Sequence, residues 1–177
     1  MSFMEQGLVK NYKAVAKTFK RYWEVYGGYR SLMCSPYFHL SLVMFALTWP
    51  FLGGRTDVEW YGLVIEISPD LLGFSLGGYA ILLAFGNDDF LCALSGDDAD
   101  GPSPFMKMNV AFVNFIIFQV VALVSAVLSM VWEASTGPIA WFGYLVFLYS
   151  LLLAMAAVIA VFQLSDWFNT FNEDNEE

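Results

Sequence analysis

The chain has 177 residues, 58% hydrophobic and only 14% charged, with a formal net charge of −9. Soluble domains carry about 25% charged residues, so no soluble core could hide this much apolar surface and lipid has to solvate it. The few charges, one histidine and two cysteines leave little from which to build a catalytic or metal centre.

The first segment, residues 1–30, reads as an amphipathic interfacial helix. Leu8, Tyr12, Val15, Ala16, Phe19, Trp23 and Tyr26 recur at helical spacing and, at about 100° per residue, share roughly one third of the wheel. Lys10, Lys13, Lys17, Lys20, Arg21 and Glu24 fall on the other side. Gly27-Gly28 is the stop and hinge. Such a helix lies in a membrane interface, aromatic face down and lysines toward anionic headgroups. Lys10, Lys13, Lys17, Lys20, Arg21, Phe19 and Trp23 are therefore the expected membrane-surface residues. Two alternatives are packing of the apolar face on the cytoplasmic ends of later helices and docking of a soluble partner. The segment is too charged to supply the apolar stretch of a cleavable signal peptide.

Pro36, Pro69, Pro104 and Pro138 each head a long apolar run. Three follow serine (Ser35, Ser68, Ser103) and one follows Gly137. Serine is a favoured N-cap, and proline in the first turn loses no hydrogen bond. The expected fold is thus all-α, with four transmembrane helices in up-down order at about 36–54, 69–86, 107–132 and 138–164, inside a domain spanning 36–165. About 20 apolar residues cross the hydrocarbon core, so the first two runs are minimal and the last two tilt or project.

Eight cations set the orientation. Lys10, Lys13, Lys17, Lys20, Arg21 and Arg30 precede the first span, and Lys107 precedes the third; only Arg55 lies between the first and second. The positive-inside bias places both termini in the cytoplasm of a cell inner (plasma) membrane. Trp49, Trp60, Tyr61, Trp132 and Trp141 then cluster at the outer interface. Cys34 and Cys92 both face the reducing side, which argues against a disulfide.

With these boundaries no Asp, Glu, Lys or Arg lies mid-membrane, which argues against pumps and voltage sensors. Glu66 and Asp70 flank the expected start of the second span and serve its positive dipole end. His39 reads as an interfacial side chain. Small residues form stripes: Gly73, Gly77, Ala80 and Ala84 in the second span, Ala140, Gly143, Ser150, Ala154 and Ala157 in the fourth, and Ala111, Asn114, Ala122, Ser125 and Ser129 in the third. Membrane helices associate through such faces. Gly73, Gly77, Ala80, Ala84, Asn114, Ser125 and Ser129 are the expected helix-packing or oligomer contacts, with the Asn114 face the candidate for a seam between protomers or a narrow pore lining. Gln119 and Gln163 need polar partners.

The loop from Asn87 to Pro104 carries Asp88, Asp89, Asp97, Asp98 and Asp100. It fails as a calcium loop, because Gly96 and Lys107 stand where acids are required. It fails also as a lipid phosphotransferase signature, because Pro102-Ser103 follows Asp100-Gly101. A short helix at 90–94 is expected to cap the bundle. Residues 166–177 form an acidic cytoplasmic tail with Glu173, Asp174, Glu176 and Glu177. Asp97, Asp98, Asp100, Glu173 and Asp174 are the expected docking residues for a cytoplasmic protein partner. This acidic face would repel nucleic acid, so none is expected as a direct partner.

Neither a nucleophile–base pair nor metal-ligand spacing is visible, so neither enzymatic activity nor a cofactor or metal is expected. Two classes remain, an oligomeric membrane scaffold or sensor and a small oligomeric ion-conducting pore. By size, plan and acidic cytoplasmic side, the whole chain resembles the small four-span membrane proteins of bacterial antiphage operons, among them the membrane subunit of Kiwa-type systems. The resemblance implies a homo-oligomeric sensor that recruits a cytoplasmic effector. It carries over no site residues.

Overall fold

The computed structural model describes residues 3–52, 59–84, 94 and 101–176, with side chains over 7–51, 59–80, 94 and 101–171. The described residues are all-helical. They form α1 (Phe3–Tyr26), α2 (Gly28–Met33), α3 (Pro36–Leu52), α4 (Trp60–Ala84), α5 (Pro104–Val131) and α6 (Pro138–Glu176).

Prolines open three of these helices as expected. Ser103 Oγ accepts the Met106 N–H at 3.3 Å and so caps α5. The Trp141 N–H reaches the Gly137 carbonyl at 2.9 Å, closing the first turn of α6. Pro69 is the exception. α4 begins nine residues before it, at Trp60, and runs through the proline. Trp60, Tyr61 and Val64 are buried in a cluster with Ala122, Ala126, Tyr144 and Phe147, and this packing holds the extra turns. A proline within an apolar helix forfeits one backbone bond but is tolerated when neighbouring helices hold the segment. Ser68 is consequently no cap: it is 1% exposed and its hydroxyl lacks a hydrogen-bond partner. Glu66 and Asp70, expected at the helix start, instead stand well inside α4, and both are exposed.

Two helices, α5 and α6, are long and apolar enough to cross a membrane. α3 has 17 residues, short of the roughly 20 a span requires. α4 has 25 residues but carries both carboxylates. α6 does not stop at 164, and the segment expected as a separate tail continues the same helix to Glu176. Residues 90–93 lie outside the described residues, as do Asp97, Asp98 and Asp100; Leu94 is buried in the core.

α5 and α6 form a hairpin. Its turn is a Schellman motif: the Ala134 N–H bonds the Ser129 carbonyl at 2.8 Å and the Glu133 N–H bonds Met130 at 3.2 Å. α4 packs along α5, with Tyr79 on Phe112. α3 runs antiparallel to α6, with Phe38 against Tyr149 at one end and Trp49 against Trp141 at the other. Tyr144 ties α3, α4 and α6 together, donating to Thr48 Oγ1 at 3.0 Å and meeting Trp60 edge-on.

The small-residue stripes divide. Ala140, Gly143, Ser150 and Ala157 of α6 are buried, as are Asn114, Ala122, Ser125 and Ser129 of α5. A Cβ at Gly143 would stand 2.5 Å from the Trp60 ring and 2.9 Å from Ser125 Cβ. Gly73, Gly77 and Ala80 of α4 are exposed, and a Cβ at either glycine would meet nothing within 4 Å. The Ala84 side chain lies outside the described set. Gly143→Ala should therefore lower stability by about 1–3 kcal/mol through overpacking, while Gly73→Ala should raise it by about 0.5–1 kcal/mol through helix propensity. Thermal unfolding in neutral detergent reads both, and equal effects at the two glycines would refute this division.

Candidate functional site

α1 behaves as two halves. Over the first, Leu8, Tyr12, Val15 and Phe19 are each more than half exposed, at 59%, 71%, 68% and 54%. Lys10, Lys13, Lys17, Lys20 and Arg21 are exposed on the other face. Lys20 and Glu24 pair at 3.7 Å, but both are solvated and such a pair contributes little. Over the second half the aromatic face meets the bundle. Tyr22, Trp23 and Tyr26 are partly buried, and the Tyr22 and Tyr26 rings stack at 6.3 Å. The alternative of packing on the later helices thus holds for the last turns alone.

Glycine ends α1 as expected. Gly27 and Gly28 have φ of +89° and +67°, which L side chains rarely adopt. A Cβ at Gly27 would also collide with the Ser31 side chain. The double left-handed step turns the chain into α2 and brings Ser31 and Ser35 beside the ends of α5 and α6.

A polar cluster forms where α1 meets the bundle. The Tyr22 hydroxyl donates to Asn114 Oδ1 at 2.7 Å. The Tyr26 and Tyr149 hydroxyls are 3.3 Å apart. Phe118 meets the Tyr149 ring edge-on at 4.7 Å and Phe38 at 5.8 Å, so α3 and α5 fix the ring while α1 bonds its hydroxyl. Ser35 and Asn114 lie beside that hydroxyl. Asn114 and Tyr149 are each 2% exposed. Burial, reinforced by Tyr149, pushes the Tyr22 phenol up to about 12 from 10. Tyr22 is therefore a protonated donor throughout the neutral range.

A cavity of about 370 Å³ adjoins the cluster, with Tyr26, Ser31, Ser35, Lys107, Asn114 and Tyr149 in its wall. Five elements contribute to it. Lys107 has moved from the expected loop into the first turns of α5, where its N–H bonds the Ser103 carbonyl at 3.0 Å.

Asn114, expected at a seam between protomers, faces α1 of its own chain and is buried there. Ser125 Oγ donates to the Val121 carbonyl at 2.8 Å, while Ser129 Oγ and both amide atoms of Gln119 are buried without partners. Gln163 is exposed. Glu173 and Asp174 lie on the last turns of α6, with side chains outside the described set. His39 is exposed at the start of α3, and Cys34 is an exposed free thiol. No group of three or more His, Cys, Asp or Glu able to hold a metal occurs among the described residues. Sequence reasoning missed Tyr22, Ser35, Lys107 and Tyr149 as site residues. The available signal was Asn114 itself, a lone amide in an apolar helix that must find a polar partner.

Tyr22→Phe strands the buried Asn114 carbonyl and should cost about 1–3 kcal/mol. Adding Asn114→Leu should recover most of that loss, since no orphaned group then remains. An acid whose folded pKa exceeds its unfolded one stabilises the fold below the unfolded value and loses that contribution as pH rises through the folded one. The last turn of α1 should accordingly stay docked through neutral pH and release between about 10 and about 12. Hydrogen exchange of residues 20–26 reads both effects; additive losses in the double variant would refute the pairing.

No family model, curated protein or solved structure matches this chain, so its functional reading rests on its own residues.

Proposed function

We propose that the chain is a homo-oligomeric, multi-pass protein of the cell inner membrane that couples the membrane to a cytoplasmic protein partner as a scaffold or sensor, in antiphage defence as its resemblance implies. α3 to α6 are the four spans, and both termini are cytoplasmic. The observation that carries this reading is α1. It presents an apolar face and a cationic face, has most of the apolar face uncovered among the described residues, and is tied to the bundle at one end. A helix of that kind answers to whatever covers it, anionic lipid on one hand or a protein on the other. Asp97, Asp98, Asp100, Glu173 and Asp174 are the proposed docking residues for the partner. Self-association falls to Gly73, Gly77 and Ala80, which have no packing role within the chain.

A second reading, an oligomeric cation pore, draws on α4. At helical spacing Glu66, Asp70, Gly73, Gly77 and Ala80 share one stripe, and all five are exposed. Carboxylates on an apolar helix avoid lipid and face water or a partner, and acidic rings line cation channels. Purified protein in liposomes decides between the readings. The scaffold expects a tight membrane; potassium flux that Glu66→Gln with Asp70→Asn abolishes would establish the pore.

Topology has its own measurement. In a Cys34→Ser and Cys92→Ser background, a cysteine placed at residue 57 should react with a membrane-impermeant maleimide in intact cells. Labelling only after lysis would invert the orientation.

A further inference from the structure

We propose that the cavity beneath α1 and α2 is a binding site for a phosphate group, with Lys107 as its cation and occupancy joining α1–α2 to α5–α6. This deepens the sensor reading and rests on it for its consequence, though the site itself stands on the geometry alone.

The wall is rich in donors. Lys107 supplies an ammonium, Ser31, Ser35 and Tyr26 supply hydroxyls, and no Asp or Glu is among the lining residues. Asn114 is held between two tyrosines: its Oδ1 accepts the Tyr22 phenol and its amide bonds the Tyr149 hydroxyl, which leaves one N–H for a ligand. Asn114 and Tyr149 are both more than nine-tenths buried at the cavity's edge. An acceptor with several oxygens suits such a wall, and a cation favours one that is charged. Lys107 has no carboxylate partner among the described residues, where the sole ion pair is Lys20–Glu24. The volume, about 370 Å³, falls in the range of small-ligand sites, about 300–1,000 Å³. A phosphate with its glycerol would occupy it.

Lys107 also lines a second cavity of about 350 Å³ on the same side of the α5–α6 seam. Ala111 and Ala156 line both cavities as well, so the two are neighbours. Tyr26 and Ser31 belong to the α1–α2 arm, whereas Lys107, Asn114 and Tyr149 belong to the hairpin. A ligand bonding both sets draws them together, and the Gly27-Gly28 step between α1 and α2 is where the arm turns.

The phosphate can come from a lipid headgroup or from solution. Thermal unfolding of the full chain in a neutral detergent, with added inorganic phosphate, glycerol 1-phosphate, phosphatidylglycerol or the phosphate-free lipid diacylglycerol, separates the sources. Stabilisation by phosphatidylglycerol alone identifies the lipid; stabilisation by either soluble phosphate identifies the solution source. In both cases Lys107→Gln should weaken the apparent affinity at least tenfold, and Lys107→Arg should restore it. No stabilisation by any of the three anions, an equal response to diacylglycerol, or an unchanged affinity in Lys107→Gln overturns the site. The coupling is read separately, by hydrogen exchange in α1. Protection of residues 20–26 should rise with ligand; binding without that rise would refute the joining of α1–α2 to the hairpin and with it the sensor role, leaving the phosphate site intact.

Discussion

Asn114 needs a partner, and much of the packing around the first turns of α3 follows from how it gets one. An amide on an apolar helix, 2% exposed, cannot turn to water, and leaving its oxygen bare would cost about 1–3 kcal/mol. The partner comes from outside the bundle. α3 is short, and its first turn sits level with Tyr149, while α6 continues for another six turns or more. Past the start of α3, no long helix among the described residues covers that corner of the bundle. The last turn of α1 and the short α2 fill it instead, bringing Tyr22 to Asn114 and Tyr26 to Tyr149. The cavity is what remains of that corner. A longer α3 would have covered Asn114 by itself and left α1 with no fixed attachment.

Helix ends were legible in the sequence where local chemistry decides them. Ser103-Pro104 and Gly137-Pro138 mark true starts because the cap and the proline act within one turn. Gly27-Gly28 marks a true stop because two successive left-handed residues leave few alternatives to glycine. Ser68-Pro69 carries the same signature and is misleading. There the deciding term is burial of Trp60, Tyr61 and Val64 against α5 and α6. Burying three such side chains is worth several kcal/mol at about 1.5–3 each, enough to carry the helix past one missing backbone bond. That packing involves partners far away in the chain, and no window around Pro69 contains them.

The polar site was half legible for the same reason. Asn114 declares itself by composition alone. Tyr22 and Tyr149 do not, because a tyrosine near the end of an apolar run reads equally well as an interfacial anchor. The small-residue stripes were visible as stripes, but sequence could not say which way each one faces. Gly143 turns inward because the Trp60 ring occupies the space its side chain would need, and Trp60 is placed by the extra turns of α4. Those same turns bring Glu66 into line with Asp70 on the exposed stripe with Gly73 and Gly77. One misread helix start therefore moves both a packing contact and a pair of carboxylates.

The energetics of α1 favour a role for its uncovered half over its tethered half. Tyr22–Asn114 is a neutral hydrogen bond, net about 1 kcal/mol, helped by aromatic contacts of similar size. Leu8, Tyr12, Val15 and Phe19 together offer about 6 kcal/mol or more to any surface that buries them, at about 1.5 kcal/mol for each side chain. The tether therefore fixes the point about which α1 pivots, and the covering surface fixes where the helix lies. Exchange of one cover for another, lipid for protein, changes the helix direction without breaking the bond to Asn114 where the bend falls ahead of Phe19; a bend at Gly27-Gly28 carries Tyr22 with it. Strain reaches the cluster only when the new direction pulls Tyr22 away from Asn114. The orphaned amide then penalises that state by an amount comparable to the bond itself, about 1 kcal/mol, enough to bias a two-state equilibrium roughly fivefold at 1.4 kcal/mol per decade.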